Sequence, residues 1–183
     1  VPDRYPAEAR PIELGFGSST VKDDNEAYWS RELESLRYWI THSVQPRVRR
    51  GDIQHLSIFA FSTQPLLIEL GRLLSDIRAA EVYQLHREPP DWKWQESPDS
   101  FEFLIEEPSD SCAAVALNLS LSATIENSRI SAVFPEDDIS IWRMTVPAPN
   151  NDFLKSREQL RMFRQQFRLL LDCIKARHGQ DAL

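Results

Sequence analysis

The chain has 183 residues and a formal net charge of −7, which allows one domain with a substantial core or two small fused halves. The negative charge argues against a long nucleic acid as the main ligand, because duplex DNA demands several phosphate contacts and usually a basic face. A small anionic ligand stays open, since it needs only a few local donors. No apolar run approaches the roughly 18 residues of a membrane-spanning helix, so we predict no membrane partner.

The commoner catalytic and cofactor-binding motifs are absent from the sequence. Its five glycines do not cluster into a loop that could cradle a phosphate or a dinucleotide. Its four histidines are scattered without metal-ligand spacing, so we predict no cofactor and no metal site. The two cysteines, Cys112 and Cys173, lie in apolar surroundings and fit a reducing cytoplasm.

The first elements are an irregular arm and a helix. Residues 1–22 carry prolines and glycines that indicate a linker. Because the chain starts without Met or a signal-peptide pattern, we expect a further domain upstream. Asp23 or Asp24 is predicted to cap a helix that runs to about Ser43, and Pro46 is predicted to close it.

A strand, a polar turn, a helix and a second strand follow. Residues 55–61 form a short apolar run typical of a strand buried on both faces. Pro65 fits the first position of the helix, which runs through Ile77, and the polar residue before it is predicted to act as the cap. Residues 81–86 form the second strand. This βαβ order predicts a parallel sheet with helices packed on it.

The second half repeats this plan. Residues 112–121 predict another buried strand, a short helix that Pro135 ends comes next, and residues 139–146 alternate as a strand does. In both halves the two strands start about 25 residues apart, which indicates an internal duplication. We therefore predict an α/β fold with mainly parallel sheets flanked by helices.

A long helix is predicted to end near Gly179, and Asn150 and Asn151 are candidates to cap its start. Its arginine stripe lies at helical spacing on a face next to the apolar one. This stripe is either a solvated face or a surface for a neighbouring copy or a missing domain. It comprises Arg157, Arg161, Arg164 and Arg168.

Hydroxyl-rich turns follow the first strand of each half. In an open α/β sheet, ligands bind outside the carboxyl ends of the strands, where amides, hydroxyls and helix dipoles can hold a phosphate. The alternative is that these serines and threonines only cap helices. The turns contain Ser62, Thr63 and Gln64 in the first half and Ser120, Ser122, Ala123 and Thr124 in the second.

A second concentration of candidates follows the second strand. Arg87 offers a planar fork for phosphate, and Trp92 or Trp94 could stack on a base, a contact worth about 1–3 kcal/mol. The two tryptophans are two residues apart, so on an extended segment they face the same side. The alternative is that both pack in the core or at a sheet edge, and that His86 is a hydrogen-bonded structural residue.

Four segments together resemble the SAVED domain, in the order that this family has them. The similarity spans residues 25–179. The segments are residues 56–71, Tyr83-Gln84-Leu85-His86-Arg87 with Trp92-Lys93-Trp94, residues 119–124, and Val146-Pro147-Ala148-Pro149-Asn150-Asn151-Asp152-Phe153-Leu154.

The resemblance implies two fused halves like CARF domains (Rossmannoid), at about residues 23–98 and 99–183, that bind a cyclic di- or trinucleotide such as cyclic GMP–AMP. It implies self-association that activates a fused effector, an HNH-type DNA endonuclease in our expectation, in bacterial anti-phage signalling (CBASS). The chain itself is then no enzyme, and nucleic acid is contacted only through the missing effector. Two alternatives stay open, a ligand-independent assembly module and an enzyme that cleaves the cyclic nucleotide with His86 and Arg87.

From this resemblance and the patterns above, we expect the hydroxyl-rich turns to flank one pocket, with Arg87 balancing the phosphates and Trp92, Trp94 or Tyr83 stacking on a base. The expected ligand-binding residues are Ser62, Thr63, Gln64, Pro65, Tyr83, Gln84, His86, Arg87, Trp92, Trp94, Ser120, Ser122, Ala123, Thr124, Asn150 and Asn151.

Overall fold

A computed structural model describes residues 11–14, 23–75, 77, 80–134 and 138–182. Most of the expected linker and Pro135 lie outside these residues. The chain divides into two compact units. The first unit holds the chain up to Leu85 together with Asp91–Lys93, and the second holds His86–Pro90 and everything from Trp94 onward.

Helix α1 (Glu26–Trp39) begins one or two residues later than predicted. Asn25 is its N-cap, because its side chain accepts a hydrogen bond from the Ala27 amide at 2.9 Å. The predicted cap at Asp23 or Asp24 is therefore wrong. An asparagine and two aspartates in a row are equally good caps by residue type, so only the backbone geometry decides among them.

Helical structure also continues beyond the predicted end near Ser43. A π-helical turn (Ile40–Val44) joins α1 to α2 (Gln45–Arg49), and the Gln45 amide bonds to the Ile40 carbonyl five residues back. Pro46 therefore lies at the start of α2, where its missing N–H costs no helical hydrogen bond. The prediction that Pro46 ends the helix was wrong, because a proline signal cannot distinguish the end of a helix from the start of the next.

The predicted βαβ unit is confirmed in the first unit. Strands β1 (Leu56–Phe59) and β2 (Ala80–Tyr83) pair in parallel, and α3 (Gln64–Leu74) connects them. The helix starts at Gln64, so Pro65 is its second residue and not its first, and it ends three residues before Ile77.

One face of this sheet packs on a small apolar core. Leu56 joins α3 residues around the buried side chains Leu36, Ile40 and Val44. The prediction that the first strand is buried on both faces was wrong, since Phe59 is 43% exposed. Phe59 contacts Tyr83 and Trp92 but is not enclosed by them.

The second unit contains a three-stranded sheet in the order β3-β5-β4. Strands β4 (Ala114–Ser120) and β5 (Ile139–Thr145) are parallel as predicted, and the short helix α4 (Asn127–Ser131) lies between them in the chain. Strand β3 (Leu104–Glu106) pairs antiparallel with β5 and was not predicted. Its three residues are exposed, so they carry no alternation of burial to recognise.

Helix α5 (Arg157–His178) supplies the other side of this unit's core. Leu170 and Ile174 pack against Trp142 and Met144 of β5, and all four are almost fully buried. The helix is capped by Ser156 through a reciprocal capping box with Gln159, so the predicted capping by Asn150 or Asn151 is wrong. The helix ends at Gly179, as predicted, where φ is +98°.

The fold is thus a mixed α/β fold with a parallel strand pair in each unit. In both units a helix lies between the paired strands, and the strands begin 24 residues apart in one unit (56 to 80) and 25 in the other (114 to 139). That the units are duplicated halves remains a prediction.

Candidate functional site

A buried polar network closes the carboxyl end of β4. The Ser120 hydroxyl donates to Asn118 Oδ1 at 2.7 Å and accepts from the Ile125 amide at 3.0 Å. Asn118 Nδ2 donates to the Ile125 carbonyl at 2.8 Å and to Asn127 Oδ1 at 3.0 Å. Arg143 of β5 donates through Nη2 to the same two oxygens, each at 3.1 Å. The far end of the turn after β4 is therefore fixed to the sheet.

The middle of that turn carries the predicted contact residues Ser122, Ala123 and Thr124. Ser122 is half-buried, and Ala123 and Thr124 are exposed. Within the described residues, the hydroxyls of Ser122 and Thr124 hydrogen-bond to no protein group. They can therefore bind a ligand without first breaking an internal bond, whereas the buried Ser120 hydroxyl is committed to the network.

The loop after β5 is joined to this turn. The Asn150 amide donates to the Leu121 carbonyl at 3.3 Å. The Asn150 side chain accepts from the Asp152 amide at 3.0 Å and donates to the Ala148 carbonyl at 2.8 Å, which is an Asx-turn arrangement. Asn150 therefore shapes the loop, while Asn151 is exposed on it.

Asp152 gathers cationic and donor groups of the second unit. Its Oδ1 accepts from the Arg87 amide at 3.3 Å, and its Oδ2 lies 3.5 Å from Lys155 Nζ. The Arg87 side chain is exposed, and no described residue pairs with its guanidinium. A hydrogen-bonded path therefore runs from Leu121 through Asn150 and Asp152 to the backbone of Arg87.

His86 lies beside this path and is buried. Its side chain is 0% exposed, and neither ring nitrogen has a hydrogen-bond partner among the described residues. Its Nδ1 is 3.9 Å from Asp152 Oδ1, and its ring meets Trp94 edge to face at 5.8 Å between centroids. His86 is buried, but its ring forms no hydrogen bond with a described residue. The interpretation of His86 as a hydrogen-bonded structural histidine is therefore wrong.

The first unit places its predicted residues at the start of α3. Thr63 occupies the N-cap position, but its hydroxyl oxygen is buried and caps no amide. Ser62, Gln64 and Pro65 are exposed. The predicted capping by Gln64 does not occur, because Gln64 is already the first helical residue.

Aromatic residues cover part of the first unit's sheet. Tyr83 is buried, stacks on Phe59 at 4.6 Å between centroids, and donates its hydroxyl hydrogen bond to Glu81 at 2.8 Å. Trp92 meets Phe59 edge to face at 5.3 Å. Trp92 and Trp94 thus belong to different units and contact different partners. Gln84 uses its side-chain amide on the carbonyl of the next residue.

The described residues offer no metal site and no membrane span. No cluster of three or more histidine, cysteine, aspartate or glutamate side chains could hold a metal ion among them. None of their helices is long and apolar enough to cross a bilayer. Both cysteines are free thiols.

A family model for the SAVED sensor domain, described as SMODS-associated and fused to various effectors, matches residues 39–183. This is most of the chain, so the chain belongs to the SAVED family, whose members sense cyclic oligonucleotides in fusions with effectors. No curated protein matches this sequence significantly. The resemblance stated from sequence motifs is thereby confirmed.

Sequence reasoning missed four polar residues that organise the second unit's site. They were missed because each acts through another residue and not through a recognisable motif. For Asn118 a signal was available, because it is a polar residue inside an apolar strand run, Leu117-Asn118-Leu119. The four are Asn118, Arg143, Asp152 and Lys155.

Proposed function

We propose that this chain binds a cyclic di- or trinucleotide second messenger, such as cyclic GMP–AMP. The observation that supports it most is the hydrogen-bonded path at the carboxyl ends of the parallel strands β4 and β5. It joins the backbone of Arg87, whose guanidinium has no described partner, to a turn whose Ser122 and Thr124 hydroxyls have no described partner either. Carboxyl ends of parallel strands are the usual ligand edge of open α/β sheets.

The proposed contacts follow from charge and exposure. Arg87 pairs with a phosphodiester, for which its planar fork is suited. Ser122 and Thr124, with the backbone at Ala123, contact phosphate or ribose oxygens. Trp94 stacks on a base, and Lys155, whose Nζ lies 3.5 Å from Asp152 Oδ2, supplies a second positive charge.

The first unit, taken by itself, also carries groups suited to a nucleotide. Ser62 and Gln64 are exposed beside the start of α3, where the first backbone amides of a helix lack helical partners. Trp92 is half-buried and offers a second aromatic surface for a base, whereas Tyr83 is buried under Phe59. Trp92 is therefore the better stacking candidate of the two.

Ligand binding would act through assembly. A ligand shifts an equilibrium only by its different affinity for two states, so we propose that the occupied form favours contact with another copy and thereby activates a fused effector. That effector would be a DNA endonuclease in bacterial anti-phage defence of the CBASS type, in the cytoplasm. The chain itself would act without a cofactor or a catalytic residue.

Replacement of Arg87 tests the contact assignment. Arg87→Ala should weaken binding of the cyclic nucleotide about tenfold or more, because a hydrogen bond to a charged group is worth about 1.5–3 kcal/mol. Arg87→Ala with Trp92→Ala should weaken it further. Isothermal titration calorimetry gives the affinities, and Arg49→Ala is the matched control, since Arg49 is exposed and has no described partner. Unchanged affinity in the double variant would contradict the assignment.

The arginine stripe favours one second candidate, an assembly module that needs no ligand. All four arginines are exposed, and among the described residues Arg164 and Arg168 have no ion-pair partner. Light scattering on the ligand-free chain separates the two functions, because concentration-dependent oligomers without nucleotide would favour the module. Cleavage of the nucleotide by His86 is disfavoured by its complete burial, and chromatography of incubated nucleotide checks it.

A further inference from the structure

We infer that Asp152 is a positioning residue, which fixes the backbone of Arg87 and restrains the ammonium of Lys155 for the phosphodiesters of the ligand. The inference rests on the proposed function, because it names how that site is arranged for an anion. The negative charge of Asp152 is unexpected at a site for an anion. A carboxylate is placed among groups proposed to bind a phosphodiester, and like charges repel.

The carboxylate is directed toward protein groups. The Asp152 side chain is 18% exposed, and its two oxygens are used separately. Oδ1 accepts from the Arg87 amide across 65 residues of sequence, and Oδ2 lies 3.5 Å from Lys155 Nζ. One oxygen therefore fixes the backbone from which the guanidinium extends, and the other restrains the ammonium.

The segment that carries Asp152 is itself held in place. The Asn150 side chain accepts from the Asp152 amide at 3.0 Å. Further along, the Lys155 amide donates to Gln159 Oε1 at 2.8 Å and the Lys155 carbonyl accepts from the Gln95 amide at 2.9 Å. The position of Asp152 is therefore fixed, and its hydrogen bond can in turn fix the backbone of Arg87, which lies in an irregular segment.

Preorganisation explains why a carboxylate is tolerated here. A cationic residue whose backbone is already fixed has less backbone conformational entropy to lose when the ligand binds. The cost is repulsion between Asp152 and the phosphate, which Lys155 offsets by its own charge. The removal of the charge and the removal of the positioning bond should therefore have opposite effects on affinity.

Two substitutions separate these effects. Asp152→Asn keeps an oxygen that can accept from the Arg87 amide but removes the charge and with it the ion pair to Lys155. The ammonium of Lys155 is then free to pair with the ligand and the repulsion of the phosphate is gone, so the affinity should equal or exceed that of the unchanged chain. Asp152→Ala removes both, so it should bind about tenfold more weakly than Asp152→Asn. Asp152→Ser, whose hydroxyl is too short to reach that amide, should behave as Asp152→Ala does and serves if the alanine variant does not fold.

The decisive readout is the coupling with Arg87. In an Arg87→Ala background, the affinity ratio between Asp152→Asn and Asp152→Ala should fall to about twofold, because the positioned side chain is gone. If Asp152 has only a structural role, Asp152→Ala should lower the free energy of unfolding, and the affinity ratio of the two variants should be the same with and without Arg87. The probes are cyclic GMP–AMP and cyclic tri-AMP, and calorimetry uses whichever stabilises the chain more.

Each outcome has one meaning. Equal affinities of Asp152→Asn and Asp152→Ala, or a ratio that persists without Arg87, overturn the inference while the proposed function stands. If the unchanged chain binds neither probe, the proposed function fails for these ligands and the inference falls with it. A ratio near tenfold that collapses in the Arg87→Ala background supports both.

Discussion

Trp142 and His178 form a side-chain hydrogen bond in the second unit's core. The Trp142 indole N–H, which can only donate, gives its hydrogen bond to His178 Nε2 at 3.1 Å. His178 Nε2 must therefore be an acceptor, so the proton lies on Nδ1, which donates to the Cys112 carbonyl at 3.0 Å. The end of α5 is thereby joined to both β5 and the segment before β4.

Replacement of His178 should show how much its two hydrogen bonds contribute to stability. His178→Phe leaves the buried Trp142 N–H and the Cys112 carbonyl without a partner, so the free energy of unfolding should fall by about 1–3 kcal/mol. Urea denaturation followed by circular dichroism measures it.

The matched control for His178→Phe removes the buried donor as well. Trp142→Phe with His178→Phe should lose less stability than the sum of the two single changes, because no unsatisfied N–H remains. An unchanged unfolding free energy in His178→Phe, or simple additivity in the pair, would show that the hydrogen bond to Trp142 contributes little.

Residue roles at the site could be predicted only in part from the sequence. The proposed contacts Arg87, Ser122 and Thr124 could be named from the sequence, because their types suit a phosphate and they follow strands. Asp152 could not be, since its role depends on a contact with a residue 65 positions away. Local patterns carry no information about such a contact, and an acidic residue argues against an anion site when it is considered alone.

Between elements of the first unit, Glu69 ties α1 to α3. Its carboxylate accepts from Arg72 of its own helix at 2.7 Å and from Arg37 of α1 at 2.8 Å. The hydrogen bonds from Arg72, first, and Arg37, second, lower the pKa of Glu69 to about 2. The ionised form is therefore favoured by the folded state.

This lowered pKa sets a pH window for stability. The contribution of Glu69 is fully present above its unfolded pKa near 4.5 and is lost as the pH falls toward about 2. The difference in unfolding free energy between the unchanged chain and Glu69→Gln should therefore shrink over that window. Urea denaturation at several pH values measures it.

Glu34→Gln is the control for this pH dependence, because Glu34 is exposed on α1 and has no described ion-pair partner. Its unfolding free energy should follow that of the unchanged chain over the same pH window. A Glu69→Gln difference that stays constant with pH would mean that the two arginines do not stabilise the carboxylate. Added salt should reduce the effect, since the arginines are solvent-exposed.

At the same scale, periodic elements were predictable and irregular ones were not. Strand β5 was found because its buried and half-buried residues alternate along its whole length. The π-helical turn could not be found, because Pro46 gives the same signal whether a helix ends or a new one begins. Strand β3 forms only through pairing with β5, and its own residues are exposed.

For the molecule as a whole, the sensor function depends on where the chain concentrates positive groups. A net charge of −7 opposes approach of an anion, so binding must rely on a few local donors with short range, screened over about 8–10 Å in physiological salt. In the proposed site these donors are Arg87, whose amide bonds to Asp152 Oδ1, and Lys155, whose Nζ lies 3.5 Å from Asp152 Oδ2. A small cyclic nucleotide contacts only such a site, whereas a long nucleic acid would also be repelled by the negative charge of the rest of the chain.

The most direct test of the sensor function is a thermal-shift panel of cyclic di-, tri- and tetranucleotides with 3′–5′ and mixed 2′–5′ linkages, beside linear controls. We predict that one cyclic member raises the melting temperature selectively, since a ligand at a hundredfold excess over its dissociation constant adds about 2.7 kcal/mol of stability. The same ligand should give a smaller shift with Arg87→Ala. No shift from any cyclic member, on protein that melts cooperatively, would contradict the sensor function and favour the assembly module.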